Sequence, residues 1–251
     1  MSGSTDKKKH TEPIGADTEA KAVRLCHFLA QSGAASRRHA DGLIASGRVS
    51  VNGETVTSPG FKVQSDDTIC LDGQRLEIGR RYYIMLNKPR GYVCTNDDCH
   101  AEQKAVDLIK IHGVRLFSVG RLDKDSEGLI LFTNDGDFAA KLGHPRHGVK
   151  KTYAVNIDKP LSPGDIKSML NGIHDEGEIL RALSVHIETK RFCIIVMGEG
   201  KKREIRRMLK RLGKKTLRLQ RIAVGKLFLG KLAPGQWRFL SAKEIELSMK
   251  N

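Results

Sequence analysis

Three carboxylates crowd one polar stretch of this chain, Gly120-Arg121-Leu122-Asp123-Lys124-Asp125-Ser126-Glu127-Gly128. An ionised carboxylate can act as a nucleophile or a general base, and loops held by rigid strands are where such groups tend to lie. The alternative is a turn in which Asp and Ser side chains cap their own backbone. A pair of carboxyls facing across a glycosidic bond would suit sugar hydrolysis, but neighbours in one loop do not obviously give that opposed geometry. A second candidate is Arg206, in the basic segment 203–215. Read as an amphipathic helix, this segment puts Ile205, Met208, Leu209 and Leu212 on one stripe. At about 100° per residue, Arg203, Arg207, Lys210 and Lys214 project to the opposite side, toward water or phosphate, while Arg206 borders the apolar stripe and can reach into a cleft. Tyr153 is by spacing alone an ordinary strand tyrosine packed in a core. Cys94, Cys99 and His100 invite a zinc site, yet a fourth ligand at a plausible spacing is missing, and no metal is expected.

The elements that must position these residues follow from periodicity. Residues 1–20 carry almost no large apolar side chains and are expected to be a disordered tail. A first module, 21–78, begins with Leu25, Phe28 and Leu29 at helical spacing, and Ser36 stands as N-cap of a second helix carrying Ala40, Leu43 and Ile44. Gly47 ends that helix as a C′ glycine. Val49 and Val51 then alternate with polar residues, Asn52-Gly53 supplies a type I′ turn, and Val56 starts the return strand. A further strand at 68–71 ends at Asp72-Gly73. Arg37, Arg38 and Arg48 cluster around the second helix and the strand after it, either as a solvated face or as an RNA contact. A second domain, 82–246, opens with the apolar strand 82–86, which Asn87-Lys88-Pro89-Arg90-Gly91 breaks into a loop. A strand at 129–133 meets the Asn134-Asp135-Gly136 turn and a short helix stopping at Gly143, before the His144-Pro145-Arg146-His147 tract. Tyr153, Val155 and Ile157 alternate, as do Phe192, Ile194 and Val196. Strands and helices joined by hairpin-length connections predict an α+β fold on a mainly antiparallel, mixed sheet with flanking helices.

Composition narrows the partner. The chain has 251 residues, 39% of them hydrophobic, and 44 Lys+Arg against 29 Asp+Glu leave a net charge of +15. Such an excess calls for a polyanion, with nucleic acid foremost. No apolar run of about 18 residues offers a membrane span. The start, Met1-Ser2-Gly3-Ser4 and on through Lys7-Lys8-Lys9, lacks the apolar centre of a secretory signal. Five cysteines without a Cys-x-x-Cys pair fit reduced thiols, so a cytoplasmic setting is expected. No Gly-rich phosphate-cradling loop is present, so nucleotide hydrolysis has no support.

Four motifs in order carry a resemblance over nearly the whole chain. Asn87-Lys88-Pro89-x-Gly91, Gly120-Arg121-Leu122-Asp123-x-Asp125-Ser126-x-Gly128-Leu129, Lys151-Thr152-Tyr153 and Arg203-Glu204-Ile205-Arg206-Arg207-Met208, followed by Leu219-Gln220-Arg221-Ile222-x-x-Gly225, resemble bacterial ribosomal RNA pseudouridine synthases. The first module resembles the S4-type RNA-binding domain through Arg24-Leu25-x-x-Phe28-Leu29-Ala30, Ser36-Arg37-Arg38 and Gly47-Arg48-Val49-x-Val51-Asn52-Gly53, though Cys26 and His27 stand where that family has an acidic and a basic residue. The branch implied is the small-subunit synthase A and large-subunit synthase B type. The resemblance implies Asp123 as catalytic aspartate, Tyr153 as active-site tyrosine and Arg206 as active-site basic residue, whose charge nearby would hold Asp123 ionised. The reaction detaches uracil N1 from ribose C1′ and rejoins the base through C5. It needs a carboxylate and no cofactor. The RNA contacts expected are Arg37, Arg38, Arg48, Lys88, Arg121, Lys201, Lys202, Arg203, Arg207, Lys210 and Arg211. The implied substrate is ribosomal RNA or a ribosome-assembly intermediate, large-subunit RNA slightly ahead of small-subunit RNA, handled by a monomer. The rivals are a non-catalytic ribosome-assembly factor and the same chemistry on transfer RNA.

Overall fold

The computed structural model describes residues 22–95, 103–144 and 147–251. The expected tail, the Cys99 and His100 candidates, and Pro145-Arg146 lie outside the described residues.

In the first module β1 (Val23–Arg24) leads into α1 (Leu25–Gln31) and α2 (Arg37–Ala45). The Ser36 hydroxyl accepts the His39 N–H at 3.3 Å, the N-cap its position predicts. Gly47, at φ +70, ends the helix. Short strands follow: β2 (Val49–Val51), β3 (Glu54–Thr55), β4 (Lys62–Val63), β5 (Ile69–Leu71) and β6 (Gln74–Arg75). They pair in the order β3-β2-β5-β6, with β1 on β4. Asn52 and Gly53 at φ 53 and 86 make the tight hairpin expected of them, and the return strand begins at Glu54, ahead of Val56. Asp72-Gly73, at φ 50 and 79, ends β5 as expected and makes a second such turn into β6. Leu25, Leu29, Ala40, Ile44, Val49, Val63 and Ile69 form this module's own core.

The second domain contains β7 (Tyr83–Lys88), β8 (Phe117–Val119), β9 (Glu127–Thr133), α3 (Gly136–Gly143), β10 (Lys151–Ile157) and α4 (Pro163–Asn171). It continues through β11 (Ile173–Asp175), β12 (Glu178–Leu180), β13 (Ser184–Thr189), β14 (Phe192–Met197) and α5 (Glu204–Arg211). It closes with β15 (Thr216–Val224), β16 (Leu227–Phe228), β17 (Trp237–Phe239) and α6 (Ala242–Met249). A nine-stranded sheet runs β13-β14-β10-β15-β9-β7-β17, with β8 beside β9 and β16 beside β15. Within it the β9–β15 contact is parallel and the other pairings are antiparallel. β7 and β9 are buried on both faces: Ile84, Leu86, Ile130 and Phe132 point into one core, Met85, Leu129 and Leu131 into the other. Continuous apolar runs such as Ile84-Met85-Leu86 and Leu129-Ile130-Leu131-Phe132 are what a doubly covered strand requires.

Three sequence expectations change. First, β7 does not break at Asn87 but runs to Lys88, because Gly128 opposite Lys88 continues the ladder of β9. Second, Cys193, Ile195 and Met197 face the core, not Phe192, Ile194 and Val196. Both sets are apolar, so alternation alone could not choose the inner face. Third, α5 covers only Glu204–Arg211 within the expected 203–215. Arg203 sits before it in the left-handed region at φ 52, and Gly213 at φ 71 stops it.

Candidate active site

The polar loop between β8 and β9 is fixed through its backbone carbonyls. The Lys88 ammonium, fully buried at the end of β7, donates to Ser126 O at 2.6 Å and to Pro89 O at 3.1 Å. Arg221, buried in the middle of β15, sends Nε to Leu129 O at 2.7 Å and Nη1 to Arg121 O at 3.4 Å. Its guanidinium thus ties both ends of the loop to one strand. Arg206 Nη2 reaches Asp125 O at 3.0 Å, and the Gly91 N–H reaches Lys124 O at 2.7 Å. From the 92–95 segment, Cys94 Sγ accepts the Leu122 N–H at 3.4 Å. Gly128 is obligatory in this arrangement: its φ is +104, and a Cβ there would lie 2.3 Å from Arg221 O. Burial pushes the Lys88 ammonium below its ordinary value and the Cys94 thiol above its own.

Asp123 is the residue this frame presents to a cleft of about 420 Å³. That volume is within the range of small-molecule pockets. Asp123, Tyr153, Ser126, Leu122, Met197, Ile205 and Leu219 line it, with Arg121, Lys201, Lys202 and Arg203 on the basic side. Among the described residues, no side-chain hydrogen bond or ion pair engages the Asp123 carboxylate. Tyr153, in β10, belongs both to the main core and to the wall of the cleft, so the packing its spacing predicts and the cleft position the resemblance implies meet in one residue.

Arg206 comes to the same loop from α5, but on a different partner than expected. Its Nε lies 3.3 Å from Asp125 Oδ2, and Nη2 reaches Ser126 Oγ at 3.5 Å. The expected Arg206–Asp123 ion pair is replaced by one to Asp125. Arg203 adds a two-pronged grip on that carboxylate, Nη1 to Oδ1 and Nη2 to Oδ2, both at 3.0 Å. Burial works against ionisation of Asp125, but the Arg203 fork and Arg206 outweigh it and hold this carboxyl below its ordinary range. Burial pushes Arg206 the other way, downward. Glu204 is buried beneath the 199–203 turn, where its carboxylate accepts the Lys201 N–H at 3.1 Å and burial raises its pKa.

The remaining basic residues divide by burial. Arg37 and Arg38 are exposed on α2, and Arg121, Lys202 and Lys210 are exposed in the second domain. Arg48 pairs with Asp72 at the module surface, and Lys201 pairs with Glu199 at 3.1 Å. Lys88 was expected on RNA, and its burial removes it from any surface. Arg207 was expected to face water or phosphate. Instead it inserts into the β11–β12 hairpin, with Nε and Nη1 on Asp175 and Glu178, each at 2.5 Å, and Nη2 on Asp175 O at 2.9 Å. Arg211, still half exposed, joins the Asp175 carboxylate as well, so both arginines help secure α5 while Arg207 alone is drawn in from its surface. The residues missed by pattern reading, Arg221 and Cys94 as loop anchors, carry one usable clue: an arginine inside the central strand Thr216–Val224 must find buried acceptors.

Residues 82–211 match the family described as RNA pseudouridylate synthase, and residues 23–69 match the S4 domain. The chain belongs to the RNA pseudouridylate synthase family. An RNA pseudouridine synthase of Aquifex aeolicus, itself described as uncharacterized, is 40% identical, covering 89% of this chain and 92% of that one. The ribosomal large subunit pseudouridine synthase B of Bacillus subtilis is 35% identical over 89% of this chain and 94% of its own length. The ribosomal small subunit pseudouridine synthase A of Salmonella typhimurium is 32% identical, over 89% and 98%. A solved pseudouridylate synthase superposes with a TM-score of 0.66 at 31% identity, covering 90% of this chain and 99% of that structure. This pseudouridine synthase is therefore an RNA-uridine isomerase, with an S4 domain ahead of its synthase domain. No described helix is long and apolar enough to cross a membrane.

Proposed function

We propose that this synthase converts a uridine of ribosomal RNA to pseudouridine, with Asp123 as the group that engages the ribose. The observation that carries this is a carboxylate without a side-chain partner among the described residues, facing a cleft of about 420 Å³ from a loop anchored on the buried Lys88 and Arg221 and the half-buried Arg206. The target uridine leaves its stack at a cost of a few kcal/mol, which backbone contacts to the basic rim offset. Asp123 then acts in its ionised form, either attacking C1′ or removing the C2′ proton to give a glycal. The N1–C1′ bond breaks with its electron pair leaving on the base. The uracil turns and C5 bonds to C1′, displacing the Asp123 carboxylate on the first route or with return of the C2′ proton on the second; the C5 proton is then released and N1 gains one, so the product is an isomer and no redox partner is needed. The Tyr153 ring stacks on the detached uracil, and its phenol assists loss of the C5 proton. Arg37, Arg38, Arg48, Arg121, Lys202 and Lys210 contact the RNA backbone, which makes binding weaken steeply with added salt.

The enzyme acts as a monomer in the cytoplasm, on free ribosomal RNA or an assembly intermediate, with large-subunit RNA favoured slightly by the 35% identity to a synthase B over 32% to a synthase A. The test is Asp123→Asn. The variant is expected to bind ribosomal RNA and to release no tritium from uracil C5, and turnover by it would sink the assignment. Mapping carbodiimide-reactive pseudouridines in 23S and 16S RNA, from cells with and without the gene, identifies the subunit. No missing site in either RNA overturns the ribosomal target.

A further inference from the structure

We propose that Asp125 is a stand-in for an RNA phosphate. In the free enzyme it occupies the fork of Arg203, and on docking a backbone phosphodiester takes Arg203 over while Asp125 keeps Arg206 in place for catalysis. The proposal rests on the reading of the Asp123 cleft as the site of reaction.

The geometry separates the two arginines on one carboxylate. Arg203 makes the bidentate contact at 3.0 Å and is 44% exposed, Asp125 is 36% exposed, and Arg206 is 12% exposed. The outer guanidinium can therefore exchange its partner without opening the fold, and the inner one cannot. A planar guanidinium binds a phosphodiester through the same two-pronged geometry it uses on a carboxylate. A half-exposed ion pair holds its partners only weakly, so a polyanion delivered to the cleft mouth displaces it readily. Arg203 also sits at φ 52, a conformation that a side-chain-bearing residue adopts only when its surroundings enforce it. This backbone twist, just before α5, lets Arg203 and Arg206 converge on Asp125 from the same segment. Once a phosphate has removed Arg203, Asp125 has Arg206 as its remaining guanidinium, so RNA docking concentrates that charge pair on the inner arginine. Asp125 is in this sense a positioning residue, acting through Arg206 and through the availability of Arg203.

The experiment uses full-length enzyme and transcripts of 23S and 16S ribosomal RNA tritiated at uracil C5, with filter binding for affinity and tritium release for turnover. D125N is expected to bind RNA about two- to five-fold more tightly, because Arg203 no longer has to leave a carboxylate. Its kcat is expected to fall by about ten-fold or more, because Arg206 loses the carboxylate that fixes its Nε and is held only through Nη2 on the Asp125 carbonyl and Ser126. A residue that merely supported the fold would not improve binding. R203Q is expected to bind more weakly, with a dependence of log affinity on log salt shallower by roughly 0.7 to 0.9, one phosphate contact. Adding D125N to R203Q is expected to give no gain in affinity. The proposal is overturned if D125N binds no more tightly than the wild type, or if its gain persists without Arg203. Should D125N fail to fold, the salt slope of R203Q decides, and a wild-type slope is the overturning result. D123N separates the two ideas: turnover by that variant removes the reading of the site itself, whereas an inactive D123N beside a D125N of ordinary affinity removes only the stand-in.

Discussion

Asp123 and Asp125 lie two positions apart and differ in what they touch: the Asp125 carboxylate is ion-paired to two guanidiniums, while Asp123 has no side-chain partner among the described residues. Their spacing showed that both are near the cleft, but not which one the arginines would choose, because that depends on where α5 docks. The same dependence made Lys88 misleading. A lysine beside Pro89 and Gly91 reads as a loop cation, and only the pairing of β7 with β9 shows it to be buried. Its ammonium replaces hydration with two carbonyls, Ser126 O and Pro89 O. For Lys88→Met two effects oppose each other. Carbonyls left without a donor cost about 1–3 kcal/mol each, whereas removing a buried charge returns several kcal/mol. The melting temperature is therefore expected to move little. The loop loses its central anchor, however, and kcat is expected to drop by about ten- to a hundred-fold. Thermal melts alongside tritium-release kinetics check this, and a stable variant with wild-type kcat would refute the anchoring role.

At the scale of elements, what local chemistry specifies was legible and what distant partners specify was not. Ser36, Gly47 and Asn52-Gly53 act within a few residues of themselves, and each does what its type predicts. The apolar stripe Ile205, Met208 and Leu209 likewise identified the buried side of α5. On its polar side Arg207 was misread, because it, with Arg211 beside it, meets carboxylates supplied by a hairpin some thirty positions earlier in the chain, Asp175 and Glu178. This clasp gives α5 a pH dependence. Hydrogen bonds from Arg207, then Arg211, hold the Asp175 carboxyl below its ordinary pKa, so its folded value lies under its unfolded one. The stabilisation is therefore complete above the usual carboxylate range and is lost as pH falls through the depressed folded value. Thermal melting followed from neutral to acid pH is expected to show a steeper acid limb in the wild type than in Asp175→Asn, which should melt lower at neutral pH. Equal slopes would mean that the clasp contributes nothing.

The whole molecule has one core in its first module and two in its second domain, and the two parts meet where His27 of α1 comes within 3.6 Å of Asp137 of α3 beside a cavity of about 340 Å³. The modular division and the α+β class followed from pattern because each module repeats short-range rules. Strand order did not, since the parallel β9–β15 contact joins segments about ninety residues apart through Gln220–Glu127 and Arg221–Gly128. That contact has a consequence in time. The loop bearing Asp123 is finished only when Arg221 has been threaded between β10 and β9, so its geometry must wait for nearly the last strand of the sheet to be made. The first module closes through near neighbours, which form quickly, whereas non-local pairing is slow. During refolding, pulse-labelled amides of α1 and α2 are expected to gain protection well before those of β9 and β15, and simultaneous protection would contradict this order. A nascent chain stopped short of Arg221 would already have a folded RNA-binding head and still lack a formed catalytic loop, so the protein acquires its grip on RNA before its chemistry.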